Sequence, residues 1–167
     1  MPKNGMINRY FGDAIMKAVV LITCTKHKHE GSHKAEFLYS ASENFVKYLE
    51  CARLMADDRD IFIISALHCL LPLDKIIDSY ECALTKKPKQ EQFAWGNEVA
   101  TQLSMLYVLN NTRFIVIADR NYCSALLPYL PSMDMPLHDV GCGPGGYAQL
   151  DNYVTRFVSE QCNDMRG

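Results

Sequence analysis

The sequence predicts a single three-layer α/β domain in which helices flank a short, mainly parallel β-sheet. Three mostly apolar runs have the length and composition of strands buried on both faces: Ala18–Thr23, Ile61–Ser65 and Arg113–Ala118. Amphipathic helical patterns lie between these runs and after the last one. Strands that alternate with helices form parallel sheets that helices cover on both faces. A chain of 167 residues is long enough to bury such a core in one domain.

The start of the domain is indicated by Met16-Lys17, which directly precedes the first strand. Residues 16–167 are therefore assigned to the α/β domain, and residues 1–15 to an N-terminal extension with no assigned role. The first strand leads into a polar loop over residues 26–34, which contains three histidines and three lysines.

The next elements are a helix, the second strand and an irregular stretch. Ser40 and Glu43 have the spacing of a capping box, which predicts a helix that continues through Ala52. After the second strand, residues 69–92 contain two prolines and predict irregular structure, and such long stretches are often functional. Apolar residues at helical spacing then predict a helix over Trp95–Leu106.

The last third of the chain follows the third strand. A short helix is expected over Tyr122–Leu130, and Leu137–Val140 predicts a fourth short strand. The glycine-rich segment Gly141–Gly146 comes next. The final helix has a single apolar stripe from Leu150 to Val158.

Charge and composition exclude several classes of protein. The net charge is −2, so no global basic field attracts nucleic acid or an anionic membrane, and only a local basic pocket would serve that purpose. No apolar run is long enough to span a membrane. The seven cysteines are odd in number and none has the two-residue spacing of a zinc ribbon. We therefore expect reduced thiols in a cytoplasmic protein.

Polar side chains directly follow the first two predicted strands. Cys24-Thr25-Lys26 comes after the first strand, and Ser65, His68 and Asp74 come at the end of the second and beyond it, with Tyr80 a little further on. Ligands of open α/β sheets bind just beyond the carboxyl ends of the strands. The two groups are therefore expected to line one pocket.

Several of these residues also have purely structural interpretations. Cys24 is a nucleophile if His68 lies beside it and activates it, but a buried thiol at a strand end is commoner. His68 is either functional or a core histidine satisfied by backbone. Asp119, after the third strand, is either a general base or substrate acceptor, or the N-cap of the next helix. Ser65 lacks the flanking glycines of a nucleophile elbow.

No metal site and no cofactor are expected. His27, His29 and His33 lack the paired spacing of metal ligands, and the lysines of the same loop would repel a cation. Those lysines suit phosphate better, so a phosphate-facing loop is the stronger functional alternative.

The segment His138–Tyr147 resembles the glycine motif of class I methyltransferases, which binds S-adenosylmethionine. In that fold the motif follows the first strand, whereas here only one amphipathic helix remains downstream. A methyltransferase is therefore a disfavoured alternative. The remaining interpretations are a turn that needs glycine for its backbone angles, and a loop in which Gly143 and Gly145 approach an anionic or polar ligand group.

Several segments of the chain form a recognisable layout: Cys24-Thr25-Lys26, Leu38-Tyr39-Ser40, Ser65–Leu71, Asp74, Tyr80, Leu84 and Trp95. This layout resembles small bacterial and phage proteins described as YaaA-like. It is also similar to the peroxide-stress protein YaaA and to an accessory domain of archaeosine synthase, a tRNA-modifying enzyme. Departures from the resembled pattern are Cys69 in place of glycine, Ser79 in place of proline and Leu67 in place of a common lysine.

The resemblance and the polar strand ends imply a protein that processes nucleic acid or nucleobases. The most concrete hypothesis is an enzyme that acts at the N-glycosidic bond of a modified nucleotide in DNA or tRNA, after the base has been flipped out of any duplex. The alternative is a non-enzymatic DNA-binding stress-response or phage accessory protein. The expected roles are phosphate contact for Lys26, binding of base or sugar for Ser65 and His68, water positioning for Asp74 or Asp119, and base stacking for Tyr80.

Overall fold

Helices cover both faces of a five-stranded sheet in the computed structural model, which describes residues 16–166. The predicted N-terminal extension, residues 1–15, lies outside the described residues. The spatial order of the sheet is β4-β3-β1-β6-β7, and a separate two-stranded sheet pairs β2 with β5. The strands are β1 (Lys17–Thr23), β2 (Ser32–Lys34), β3 (Ile61–Ser65), β4 (Cys69–Pro72), β5 (Ile76–Asp78), β6 (Thr112–Ile117) and β7 (Met133–Asp134). The α-helices of residues 16–166 are α1 (Ala35–Leu38), α2 (Glu43–Arg53), α3 (Lys89–Ser104), α4 (Arg120–Leu126) and α5 (Tyr147–Arg166).

The central strand β1 shows why the sheet is buried on both faces. It pairs in parallel with β3 on one side and β6 on the other. Val20 and Ile22 pack into a core shared with α2 and α5, whereas Val19 and Leu21 pack into a second core shared with α3 and α4. Successive side chains of a strand point to opposite faces, so this continuous apolar run serves both cores. The predicted three-layer α/β domain is confirmed.

The N-cap of α2 differs from the prediction. Ser42, rather than Ser40, caps the helix, and its Oγ accepts a hydrogen bond from the Phe45 amide at 3.4 Å. Ser40 lies in a short 3-10 turn and donates to the Phe37 carbonyl at 2.6 Å. The capping-box pattern predicted the wrong serine as the N-cap. Both serine hydroxyls bond to nearby backbone groups, so the pattern alone does not distinguish them.

The stretch 69–92 is more regular than predicted. It contains β4, which runs antiparallel to β3, and β5, and α3 already begins at Lys89. Cys69 starts β4 with φ of +60°, in the left-handed region that favours glycine. On the outer edge of β4, the Leu70 amide donates to Gln102 Oε1 of α3 at 2.9 Å.

The predicted fourth strand is misplaced. Leu137–Val140 forms a turn, which a hydrogen bond from the Gly141 amide to the Leu137 carbonyl closes at 2.8 Å. The strand that pairs with β6 is instead β7, in parallel register. Its Asp134 forms an ion pair with Arg113 at 2.8 Å. Apolar character alone cannot distinguish a short strand from a turn whose apolar side chain is buried, as Leu137 is.

None of the helices over residues 16–166 is both long enough and apolar enough to cross a membrane.

Candidate functional site

The carboxyl ends of three neighbouring parallel strands bring predicted site residues to one edge of the sheet. Cys24 follows β1, Ser65 ends β3, and Asp119 lies two residues after β6. The Cys24 amide donates to the Ile64 carbonyl at 3.1 Å, which fixes the end of β1 against the end of β3. We refer to this side of the sheet as the carboxyl edge.

A chain of hydroxyl groups starts at Ser65, whose side chain is fully buried. Its Oγ accepts from the amides of Leu67 at 3.2 Å and His68 at 3.0 Å, and it lies 2.6 Å from the Tyr80 hydroxyl. A serine hydroxyl has two lone pairs and one proton. Because two amides occupy the lone pairs, Ser65 donates to Tyr80, and the Tyr80 hydroxyl is also hydrogen-bonded to the hydroxyl of Tyr39.

Both tyrosines of this chain are neutral at physiological pH. Burial raises the pKa of Tyr80 to about 12. Burial also raises the pKa of Tyr39, and the nearby Tyr80 raises it further. Neutral phenols donate and accept hydrogen bonds but do not supply a base at pH 7. The Tyr39–Tyr80–Ser65 chain is therefore suited to positioning and polarising a bound group.

The ring of Tyr80 is flanked by two other polar side chains. Lys28 Nζ lies 4.7 Å from the ring centroid, a cation–π distance. The exposed His68 ring meets Tyr80 edge-on, with 5.2 Å between the centroids. Stacking of a base on Tyr80, as the sequence suggested, would compete with Lys28 for the ring. Within this group, the imidazole of His68 is the side chain that is exposed to a ligand.

Lys28, rather than Lys26, is the cation in contact with the cluster. Lys26 is exposed, and its carbonyl accepts a hydrogen bond from Lys28 Nζ at 3.3 Å. Thr25 Oγ1 donates to the His27 carbonyl at 3.2 Å, so its hydroxyl stabilises the loop. Lys26 and Thr25 thus shape the loop that presents Lys28.

Cys24 is half-buried and contacts a tyrosine that the sequence did not single out as a site residue. Its Sγ lies 3.2 Å from the Tyr122 hydroxyl. Burial raises the pKa of Tyr122, and the Cys24 thiol adds to the effect. The Tyr122 ring also packs edge-on against Trp95, whose Nε1 donates to the Ser65 carbonyl at 2.8 Å. These contacts tie α3 and α4 to the ends of β1 and β3.

Asp119 is the N-cap of α4, one of the two roles that the sequence left open. One carboxylate oxygen, Oδ1, caps α4 by accepting from the amides of Asn121 at 3.1 Å and Tyr122 at 3.4 Å. The side chain is half-buried, and within residues 16–166 its second oxygen has no hydrogen-bond partner. That oxygen is available to a water or a substrate hydroxyl at the carboxyl edge.

Asp74 is not brought to this edge. It is an exposed residue of the turn between β4 and β5. Because β4 is antiparallel to β3, with Pro72 beside Phe62, the chain reaches Asp74 at the amino end of the parallel strands. The chain returns to the site only at Tyr80. This reversal has no signal in the sequence, and β4 was not predicted.

The glycine-rich segment has a structural role at Gly143. Its amide donates to the Tyr48 hydroxyl at 2.8 Å, and its φ of +115° lies in the left-handed region. Gly145 is exposed, and space is open around it. The segment follows the 137–140 turn instead of a strand, which is not the context of a methyltransferase motif.

Desolvation raises the pKa of the neighbouring Cys142 thiol to about 11, although the residue as a whole is exposed. A hydrogen bond with Tyr48 lowers this pKa, and the negative charge of Asp119 raises it. The glycine-rich segment is therefore within electrostatic reach of Asp119 at the carboxyl edge.

The loop histidines pack with an aromatic residue. His29 stacks on Phe37 at 4.5 Å between centroids, and His33 Nε2 contacts the Glu30 carbonyl at 2.8 Å. Over the described residues, no group of three or more His, Cys, Asp or Glu side chains is arranged to hold a metal ion.

The described surface grooves lie away from the carboxyl edge. One runs along α2 beside Phe37 and Val46, one lies between α5 and β7, and one lies beside Lys17 and Asp60. The candidate site consists of polar side chains at the carboxyl edge with a buried hydroxyl chain beneath them.

Fold and site together define an α/β protein with a polar cluster at the carboxyl edge of a parallel sheet. The chain belongs to DUF6884, a family of unknown function, whose pattern matches residues 19–145. The matched region runs from β1 into the glycine-rich segment and includes every site residue described above. No curated protein and no solved structure matches the chain.

Proposed function

We propose that the protein processes nucleic acid by acting at the N-glycosidic bond of a modified nucleotide in DNA or tRNA. The observation that carries the proposal is the buried Ser65–Tyr80–Tyr39 hydroxyl chain with His68 and Lys28 on its exposed side. Lys28 supplies a cation for phosphate, and His68 an exposed donor and acceptor for a base. The resemblance to proteins that handle nucleobases supports the same substrate class.

The proposed reaction is a hydrolysis. Water attacks C1′ of the sugar, a C1′–O bond forms, and the C1′–N bond to the base breaks. Asp119 Oδ2 orients the water and takes its proton, and His68 gives a proton to the departing base. A carboxylate at this position also stabilises the positive charge that develops on the sugar. Tyr80 and Ser65 hold His68 in place and are positioning residues.

The proposal is tested by incubating the protein with modified DNA, tRNA and free nucleosides and measuring released base by mass spectrometry. Asp119→Asn should lower release by roughly 100-fold or more, in the range of general acid–base contributions. Asparagine caps helices about as well as aspartate, so this variant should fold. Asp74→Asn, at the opposite end of the sheet, is the matched control and should retain full activity. Absence of released base from every substrate would refute the proposal.

A second candidate is a binding protein without catalytic activity. It is favoured by the hydroxyls of Ser65 and Tyr80, which are satisfied within the protein. His68→Ala separates the two functions. Normal DNA binding and an unchanged biological effect in this variant would favour the non-enzymatic protein.

We further propose a cytoplasmic location. All seven cysteines are free thiols in the structure, and a reducing compartment would keep them so.

A further inference from the structure

We propose that a single-stranded polynucleotide binds along a band of unpaired cations at the carboxyl edge, which we call the basic rim. The inference rests on the proposed function and narrows its substrate from nucleotides in general to a polymer. The rim consists of Lys26, Lys28, Lys86, Lys87, Lys89 and Arg120.

Over the described residues, the six rim cations share the absence of a carboxylate partner, and what sets them apart is that they lie together at the carboxyl edge. Within residues 16–166, each of the six lacks an ion pair. The lysines and arginines that do form one lie elsewhere in the fold: Lys17, Lys47, Arg53, Arg59 and Arg113. A cation without a protein partner is available to neutralise phosphate and release counterions.

Three separate segments bring these cations to the same edge. The first is the loop after β1, where Lys28 lies over Tyr80. The second is the segment before α3, whose Leu84 belongs to the same core as Ala66. Lys87 of this segment is close enough to Cys69 for its charge to lower the pKa of that thiol, although burial, the larger effect, raises it. The third is the start of α4, where Arg120 follows Asp119.

Local composition agrees with this placement. Residues 24–30, 80–91 and 119–120 together carry six lysines and arginines against four carboxylates, whereas the whole chain carries 17 against 19. The net negative protein thus concentrates positive charge where the predicted site residues lie. A local basic surface is what nucleic-acid binding needs, and a positive net charge is not required.

The width of the rim favours a polymer over a mononucleotide. Its segments flank β4, β3, β1 and β6, which at the usual strand spacing span about 14 Å. One phosphate group contacts one or two of these cations, so a mononucleotide would leave most of the rim without a phosphate partner. A single strand also presents its bases without the cost of unpairing, which amounts to a few kcal/mol for a duplex.

The test is fluorescence anisotropy with a labelled oligothymidylate of about 15 nucleotides, near the upper site size of single-strand binding folds. The triple variant K26A/K86A/K87A removes three rim charges but leaves Lys28 and the hydroxyl chain intact. The control K34A/K75A/R156A removes three cations that also lack ion pairs but lie off the rim. Both variants have the same net charge.

The rim variant should bind at least tenfold more weakly than the wild type, and its slope of log K against log salt should be shallower by about 2, since each phosphate contact contributes roughly 0.7. The control should retain wild-type affinity. Equal losses of affinity in both variants, or no salt-dependent binding by the wild type, would overturn the proposal that a polynucleotide binds along the rim.

Catalytic measurements distinguish the rim from the proposed function. Binding through the rim without release of base from any substrate would support the rim and refute the proposed reaction. Equal release from free nucleosides and oligonucleotides, with unchanged KM in the rim variant, would refute the rim and leave the reaction intact.

Discussion

Ser65 is a residue whose chemistry is set by its partners. Its oxygen accepts from two amides, and its proton is committed to Tyr80, so no lone pair is left for attack on a substrate. Ser65 holds the backbone turn that presents His68 and orients Tyr80. A hydroxyl at the end of a strand therefore acts here through its neighbours.

Cys142 allows a pH-dependent prediction at the same scale. Its pKa is raised from 9.0 to about 11, mainly by desolvation, so its thiolate at neutral pH is about 100-fold scarcer than that of an ordinary cysteine. A more basic thiolate is intrinsically more nucleophilic, by roughly tenfold for this difference. We expect alkylation by iodoacetamide at pH 7.5 to be about tenfold slower in the folded protein than in the urea-unfolded chain, and to accelerate as the pH approaches 11.

Peptide mapping by mass spectrometry measures the modification of Cys142 directly. The control is Asp119→Asn, which removes a charge that raises this pKa and should speed the reaction in the folded protein. Equal rates for the folded and unfolded chains would contradict the prediction.

The contact between α3 and α4 sets how closely these two helices approach each other beside the carboxyl edge. Gly96 lies against the backbone of α4, and a Cβ there would stand 1.9 Å from the Ala125 carbonyl oxygen. Backbone atoms cannot rotate away as a side chain can. Only glycine allows the two helices to approach this closely while Trp95 reaches Ser65.

Gly96→Ala is therefore expected to lower the free energy of unfolding by about 2 kcal/mol. Overpacking costs up to about 3 kcal/mol, and the better helix propensity of alanine returns about 1 kcal/mol. Urea unfolding measures the change. Gly145→Ala is the control, because its Cβ meets no atom within 4 Å, and it should change stability by less than about 1 kcal/mol. Similar stabilities of the two variants would contradict the expected helix contact.

Elements with strong patterns could be predicted from the sequence, and short ones could not. β1, β3 and β6 are continuous apolar runs, and α5 has a single apolar stripe, so each was located correctly. β4 and β5 were missed because three or four residues do not establish a period. The 137–140 turn was predicted as a strand because its apolar residues are too few to distinguish the two.

The candidate site was predictable only where its residues follow strands. Cys24, Ser65 and Asp119 were found because strand ends of a parallel sheet share an edge. Tyr39, Lys28 and Tyr122 were not assigned to the site, since they come from a helical turn, a loop and a helix, and only tertiary contacts unite them. Asp74 was included because the reversal of the chain through β4 has no sequence signal.

The molecule as a whole is organised around its central strand. β1 is hydrogen-bonded on both sides, and Val19, Val20, Leu21 and Ile22 are completely buried between the two cores. Opening these amides to solvent requires disruption of both helical layers. Their local stability should therefore approach the global free energy of unfolding.

Hydrogen–deuterium exchange followed by mass spectrometry tests this organisation. Peptides that cover β1 should be the slowest to exchange, and peptides that cover β2 and β5, which form a two-stranded sheet outside the main one, should exchange much faster. Exchange of β1 at the rate of β5 would contradict a single cooperative core.

The two edge strands of the main sheet, β4 and β7, affect how the protein behaves at high concentration. Exposed strand margins are templates for intermolecular pairing and fibril formation. Here β7 is only two residues long, β4 ends at a proline, and Gln102 occupies the outward amide of Leu70. The two outer strands therefore offer few backbone N–H and C=O groups for pairing with another chain. These features protect the sheet against self-association through its edge strands.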